Sequence, residues 1–157
     1  MINVSGGPWV LRQADVPGFA VPEDSRRYES QLLLDNLSSG SADLQVYRFT
    51  LYAGQLMHGE VHEANDECYY GLSGIGEVVL KESEEAFESR HEVGPGTLVF
   101  MPAGTHHRLE NHSEEPLVVL SIWPRAPAAS GNKIAEARRA AWGKTLMLKP
   151  TTTEHHV

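Results

Sequence analysis

Two stretches of this sequence combine side chains able to bind a cation or move a proton with residues that turn the chain. The first runs from Gly54 to Gly74 and holds His58, Glu60, His62 and Glu67. Along an extended segment, residues two apart point the same way, so His58, Glu60 and His62 project from one face. Glu67 opens the next strand, from which its carboxylate can reach the same point, and Gly74 turns the chain after it. The second stretch runs from Gly96 to Asn111. There Pro102 and Gly104 set a tight turn that presents His107 on a returning strand.

The two stretches resemble the paired motifs of the cupin superfamily. Gly54, His62, Glu67 and Gly74 stand at positions of the first motif, with four residues between His62 and Glu67 and six between Glu67 and Gly74. Gly96, Pro102, Gly104, His107 and Asn111 match every defined position of the second. Where the family supplies its first histidine, this chain has Glu60. The resemblance covers Gly54 to Asn111 and extends from about Gln31 to Trp123 with the flanking strands. It implies an all-β fold, a double-stranded β-helix or jelly-roll barrel whose mouth holds one divalent ion. His62, Glu67 and His107 carry over as its ligands, with Glu60 as the fourth candidate.

Two imidazoles with one or two carboxylates suit Fe, Mn, Ni or Zn. Glu60 has three readings: a ligand that adds negative charge, a base beside the metal, or the mark of a cupin that has stopped binding metal. His58 stands ready to replace the missing imidazole or to line the pocket rim. Tyr69 and Gly71 share the face of Glu67 and are the candidate substrate-pocket residues. Gly71 occupies a place where cupins carry a branched apolar residue, so it either widens the pocket or permits a strand kink.

Two histidines and a carboxylate with open positions form the arrangement used by non-heme iron oxygenases. The expectation is therefore a metal-dependent enzyme acting on a small oxygenated organic molecule, with dioxygenase-type chemistry preferred. The alternative is a redox-neutral isomerase, epimerase or lyase in which Glu60 or His58 shuttles a proton. A non-catalytic cupin that binds a small molecule is the rival from another class. Family habit implies a homodimer in which the segment before Gln31 is exchanged between copies.

The elements that must position these groups are short. Alternation marks a strand over Gln45 to Tyr52, and further β-type runs follow at Cys68 to Leu72, Glu77 to Leu80, Thr97 to Met101 and Leu117 to Trp123. Tyr47, Phe49, Tyr69, Phe100 and Trp123 read as barrel packing, and Cys68 as a small buried apolar group. His106 should face away from His107, while His91 and His112 fall at solvated loop positions. Glycines and prolines punctuate residues 1–30 too often for long regular elements, giving an irregular N-terminal arm. The barrel spans 31–124. Residues 125–157 form a linker, a short C-terminal helix over Lys133 to Trp142 with Asn132 as its N-cap, and a polar tail.

At 157 residues, with 41% hydrophobic and 22% charged side chains, the chain has the composition of one folded domain. A formal net charge of −8 and the lack of any Lys/Arg cluster argue against nucleic acid. One cysteine, no signal-peptide pattern and no apolar run long enough to span a bilayer lead to the expectation of a cytoplasmic protein without membrane contact.

Overall fold

A computed structural model of the chain describes residues 10–20, 28–35, 41, 43–57 and 59–124. Period-two patterning is realised in nine strands among them: β1 (Phe19–Ala20), β2 (Glu29–Leu34), β3 (Leu44–Leu51), β4 (Glu67–Ser73), β5 (Gly76–Lys81), β6 (Ser89–Val93), β7 (Leu98–Met101), β8 (His106–Glu110) and β9 (Leu117–Pro124). One sheet runs β1-β2-β3-β9-β4-β7 and the other β6-β5-β8, with every pairing antiparallel. This is the expected double-stranded β-helix. The expected C-terminal helix lies outside the described residues. Among those residues no helix is long and apolar enough to cross a membrane.

The core is the set of inward positions of the two sheets. On β3, Tyr47, Phe49 and Leu51 are buried, and they pair with Ser121, Val119 and Leu117 on β9. On β4, Glu67 and Tyr69 lie opposite Met101 and Val99 of β7. Val78, Val93 and Leu109 close the cluster from the smaller sheet. Aromatic edges lock the middle, with Phe49 edge-on to Tyr28 at 5.2 Å and to Tyr69 at 6.4 Å. Each such buried side chain stabilises the fold by about 1.5–3 kcal/mol.

Three readings of the sequence are corrected by the strand registers. Phe100 does not pack inside: β7 turns Val99 and Met101 inward, leaving Phe100 56% exposed on the outer face. Cys68, its partner across β4, is half-buried on that same outer face. His91 lies within β6, exposed as expected but not in a loop. Three strands also escape the pattern search, the two-residue β1 among them. β6 is exposed at four of its five positions, so it has no apolar alternation to detect. In β2 the polar Gln31 is buried, where its amide donates to the Val16 carbonyl at 2.7 Å. That bond ties the first segment to the barrel, and Val16 and Tyr28 enter the core.

The outer face of β6-β5-β8 is a charge ladder. Glu110 accepts hydrogen bonds from Arg108 (2.6 Å) and Arg90 (2.9 Å) and lies 2.8 Å from the exposed His112 ring. Arg90 also pairs with Glu77 at 3.0 Å, and Arg108 grips Glu88 through both terminal nitrogens. Burial alone would push the Glu110 carboxyl up, but Arg108, Arg90 and His112 outweigh it and hold the group at about 2. A depressed carboxylate contributes stability above its unfolded value and loses it as pH falls through the folded one. Glu110→Gln is therefore expected to cost about 1–3 kcal/mol at neutral pH in urea unfolding. The gap to wild type should shrink between about pH 4.5 and about pH 2, where the wild-type carboxylate takes up its proton.

Candidate metal centre

The chain between β3 and β4 reaches the barrel mouth by running alongside β8. Gly54 N–H donates to the Asn111 carbonyl, Asn111 N–H returns to Gln55, and Met57 N–H donates to Leu109. Glu60 and His107 then exchange both backbone bonds, at 2.8 and 2.9 Å. This pairing places the two side chains opposite each other. Among the described residues of this segment, isolated bridges occur at Leu56 and Glu60. At its end, Gly104 N–H donates to the His62 carbonyl at 2.9 Å, fastening the first motif to the turn of the second. Gly104 takes φ +85°, a left-handed conformation that glycine adopts without strain. Asn111 secures the far end, donating to the Leu51 and Glu115 carbonyls at 2.8 Å each.

Four side chains converge from these elements. Glu67 Oε2, at the start of β4, lies 3.0 Å from His62 Nε2 and 3.0 Å from His107 Nε2. Ligand atoms of Glu60, His62 and His107 all lie within 4.8 Å of one another, with Glu60 Oε2 4.0 Å from His62 Nε2. Burial is graded across the group. His107 and Glu67 are 1% and 4% exposed, His62 and Glu60 21% and 24%. The carboxylate of Glu67 is thus at the floor and that of Glu60 at the rim.

Orientation is fixed from behind. His107 Nδ1 lies 3.0 Å from the Thr105 carbonyl, which can only accept, so the neutral ring carries its proton there and presents Nε2 as a lone pair. Ser121 donates to Glu67 Oε1 at 2.5 Å and leaves Oε2 facing the imidazoles. Trp123 stacks on His62, ring centroids 4.6 Å apart, and Tyr69 sets its ring edge-on to His107 at 5.6 Å.

Burial alone would raise the Glu67 carboxyl, but His107, His62 and Ser121 outweigh it and bring the group down to about 2. Burial alone would lower His107, yet the Glu67 carboxylate reverses the direction and raises it. Despite the short N···O distances, Glu67 Oε2 and His107 Nε2 are fully buried and make no aligned hydrogen bond. Two orphaned buried atoms whose lone pairs share a focus fit a cation between them, since burying polar groups unpaired is costly. Imidazole and carboxylate are the donor set of a transition-metal ion.

Of the residues singled out in the sequence, Glu60, His62, Glu67, His107 and Tyr69 are brought together. Gly71 shares their face, but its glycine answers to another constraint. A Cβ there would fall 2.0 Å from the Gly94 carbonyl oxygen, and Gly71 bonds Thr97 and Gly96 through its backbone. Close approach of two chain segments accounts for the missing side chain, and the β4–β9 register shifts between Gly71 and Ser73, in keeping with the strand-kink reading. His58 lies outside the described residues. His106 alternates to the outer face opposite Lys81. Ser121 and the stacking role of Trp123 went unrecognised in the sequence. Their signal was a polar residue at an inward position of the otherwise apolar run Leu117, Val119, Ser121, Trp123.

Known proteins resemble this chain in sequence and fold. Residues 47–123 match the family model of the cupin domain. A glucose-6-phosphate isomerase of Pyrococcus abyssi is 31% identical over 146 residues, 81% of this chain and 75% of that protein. A glucose-6-phosphate isomerase of Thermococcus kodakarensis is 27% identical over 88% of this chain and 79% of its own length. Among solved structures, one described as a predicted oxalate decarboxylase from Thermotoga maritima superposes with a TM-score of 0.63 at 20% identity, covering 74% of this chain and 99% of that one.

Because Ser121 aims Glu67, Ser121→Ala is expected to weaken divalent-ion binding by about 10–100-fold while the fold is retained. Competition with a chromophoric chelator measures it, and an unchanged affinity would contradict the assignment of Glu67 Oε2 to the ion.

Proposed function

The chain belongs to the cupin superfamily, and we propose that it is a metal-dependent aldose–ketose isomerase acting on a small sugar, with sugar phosphates the first substrates to test. One observation carries this reading: a second carboxylate, Glu60, stands at the rim of a cation-type cluster whose floor already has Glu67. Similarity to glucose-6-phosphate isomerases over three quarters of their length supports the same chemistry. The ligand types that made dioxygenase chemistry attractive serve this reaction equally well, so they give it no advantage.

His62, Glu67 and His107 would hold the ion. A divalent ion bound there polarises the substrate's carbonyl and neighbouring hydroxyl oxygens, which acidifies the C–H between them. The remaining work falls to the chain's own groups. Glu60, backbone-locked opposite His107 and partly open to solvent, takes the proton from the carbon bearing the hydroxyl and returns it to the adjacent carbonyl carbon, while the hydroxyl proton passes to the former carbonyl oxygen. Together these transfers leave the carbon skeleton and the overall oxidation level of the substrate unchanged, as an isomerisation requires. Trp123 and Tyr69 wall the imidazoles and restrict water on the inner side.

The test is interconversion of glucose 6-phosphate and fructose 6-phosphate, and of unphosphorylated aldose–ketose pairs, followed by NMR in D2O with protein loaded in turn with Fe, Mn, Ni or Zn. Solvent deuterium should enter the product, and Glu60→Gln should reduce kcat by about 10²–10⁴-fold. Failure of every pair with every metal would overturn the isomerase reading.

A further inference from the structure

We propose that a column of rings, Phe49, Tyr47 and Trp123, positions His62 for the ion, in the role that a hydrogen bond fills for His107. The two imidazoles are held by different means. His107 has the Thr105 carbonyl 3.0 Å behind its Nδ1. Among the described residues, His62 has Glu67 and Glu60 near its Nε2 and no hydrogen bond at Nδ1, and its side chain is 21% exposed. A ligating histidine without such a bond turns about its own side-chain torsions unless something else fixes its plane.

What His62 has is a face to lie on. Trp123 stacks against it with ring centroids 4.6 Å apart and planes 27° from parallel. Tyr47 lies 6.0 Å from Trp123, and Phe49 6.0 Å from Tyr47 with planes 22° from parallel. The column therefore starts in the core, where Phe49 and Tyr47 are 4% and 2% exposed, and ends on a ligand at the barrel mouth. Strand register builds it: Phe49, Tyr47 and Gln45 are successive inward positions of β3, and Trp123 of β9 pairs with Gln45. The Tyr47 hydroxyl donates to Gln45 Oε1 at 3.0 Å, tying the middle ring to the cross-strand neighbour of Trp123.

A second observation points the same way. Trp123 Nε1 is buried and has no hydrogen-bond partner among the described residues. A buried indole usually finds an acceptor, and going without one is unfavourable. The place of this indole is thus set by the rings it touches and not by its N–H.

The proposal rests on His62 as a ligand and not on the isomerase reading, so its test is free of substrate. The full chain is loaded with zinc, its affinity is measured by competition with a chromophoric chelator, and long-range proton–nitrogen NMR follows the two imidazoles. In wild type the His62 ring protons should lie upfield, shielded by the indole face. Trp123→Leu should raise the zinc dissociation constant by about 10–100-fold, the cost of losing a group that orients a ligand. Tyr47→Leu, one ring farther back, should raise it by about 2–10-fold, the worth of one aromatic pair. Trp123→Phe and Tyr47→Phe keep a ring and should bind as wild type does. In both leucine variants the His62 signals should move or broaden while those of His107 stay in place. If Tyr47→Leu does not fold, Trp123→Leu, at a half-buried site, carries the test. Unchanged affinity in Trp123→Leu, or equal disturbance of His62 and His107, overturns the proposal, the second result marking ordinary packing. A wild type that binds no zinc overturns it together with the ligand assignment, whereas zinc binding with these shifts and no turnover of any sugar supports it and counts against the isomerase reading alone.

Discussion

A carboxylate 4% exposed inside a β-barrel is the constraint around which this structure is arranged. Removing a lone ion from water costs several kcal/mol, more than any one apolar side chain of the core returns. A serine hydroxyl on Oε1 meets part of that cost, and two imidazole nitrogens set 3.0 Å from Oε2 leave the rest to a cation or proton shared among them. Each partner comes from a different element: His62 from the segment along β8, His107 from β8, Ser121 from β9. The backbone exchange between Glu60 and His107 and the Gly104 bond to His62 exist where they do because these elements must meet at one point.

On the proposed isomerase reading Glu60 takes a role different from that of Glu67, although both are glutamates in one cluster. Glu67 is enclosed, hydrogen-bonded from behind and directed at both imidazoles. Glu60 stands an ångström farther from His62, with a quarter of its side chain in contact with solvent. A carboxylate at a rim keeps room to approach substrate carbon, whereas one at a floor holds a cation.

Much of this was legible in the sequence because spacing and turn chemistry are local. His62, Glu67 and His107 sit at fixed intervals from Gly54, Gly74, Pro102 and Gly104, and all three of those glycines take positive φ. What escaped depends on register, which no short pattern encodes. Phe100 lies on the outer face, and Cys68 beside it is only half-buried, because β4 and β7 pair Glu67 with Met101. Gly71 is a glycine because of Gly94, twenty-three positions away. Ser121 matters only once β9 lies beside β4. The strand β6 gave no signal because its surroundings reward charge in place of alternation.

Manganese binding followed by electron paramagnetic resonance, on wild type, Glu67→Gln and Glu60→Gln, tests the division between the two carboxylates most directly. Glu67→Gln should abolish measurable binding, and Glu60→Gln should retain it to within about tenfold, the lower end of the cost of losing a supporting group. Equal loss in both variants, or binding that survives Glu67→Gln, would contradict the assignment of Glu67 to the ion and Glu60 to the proton.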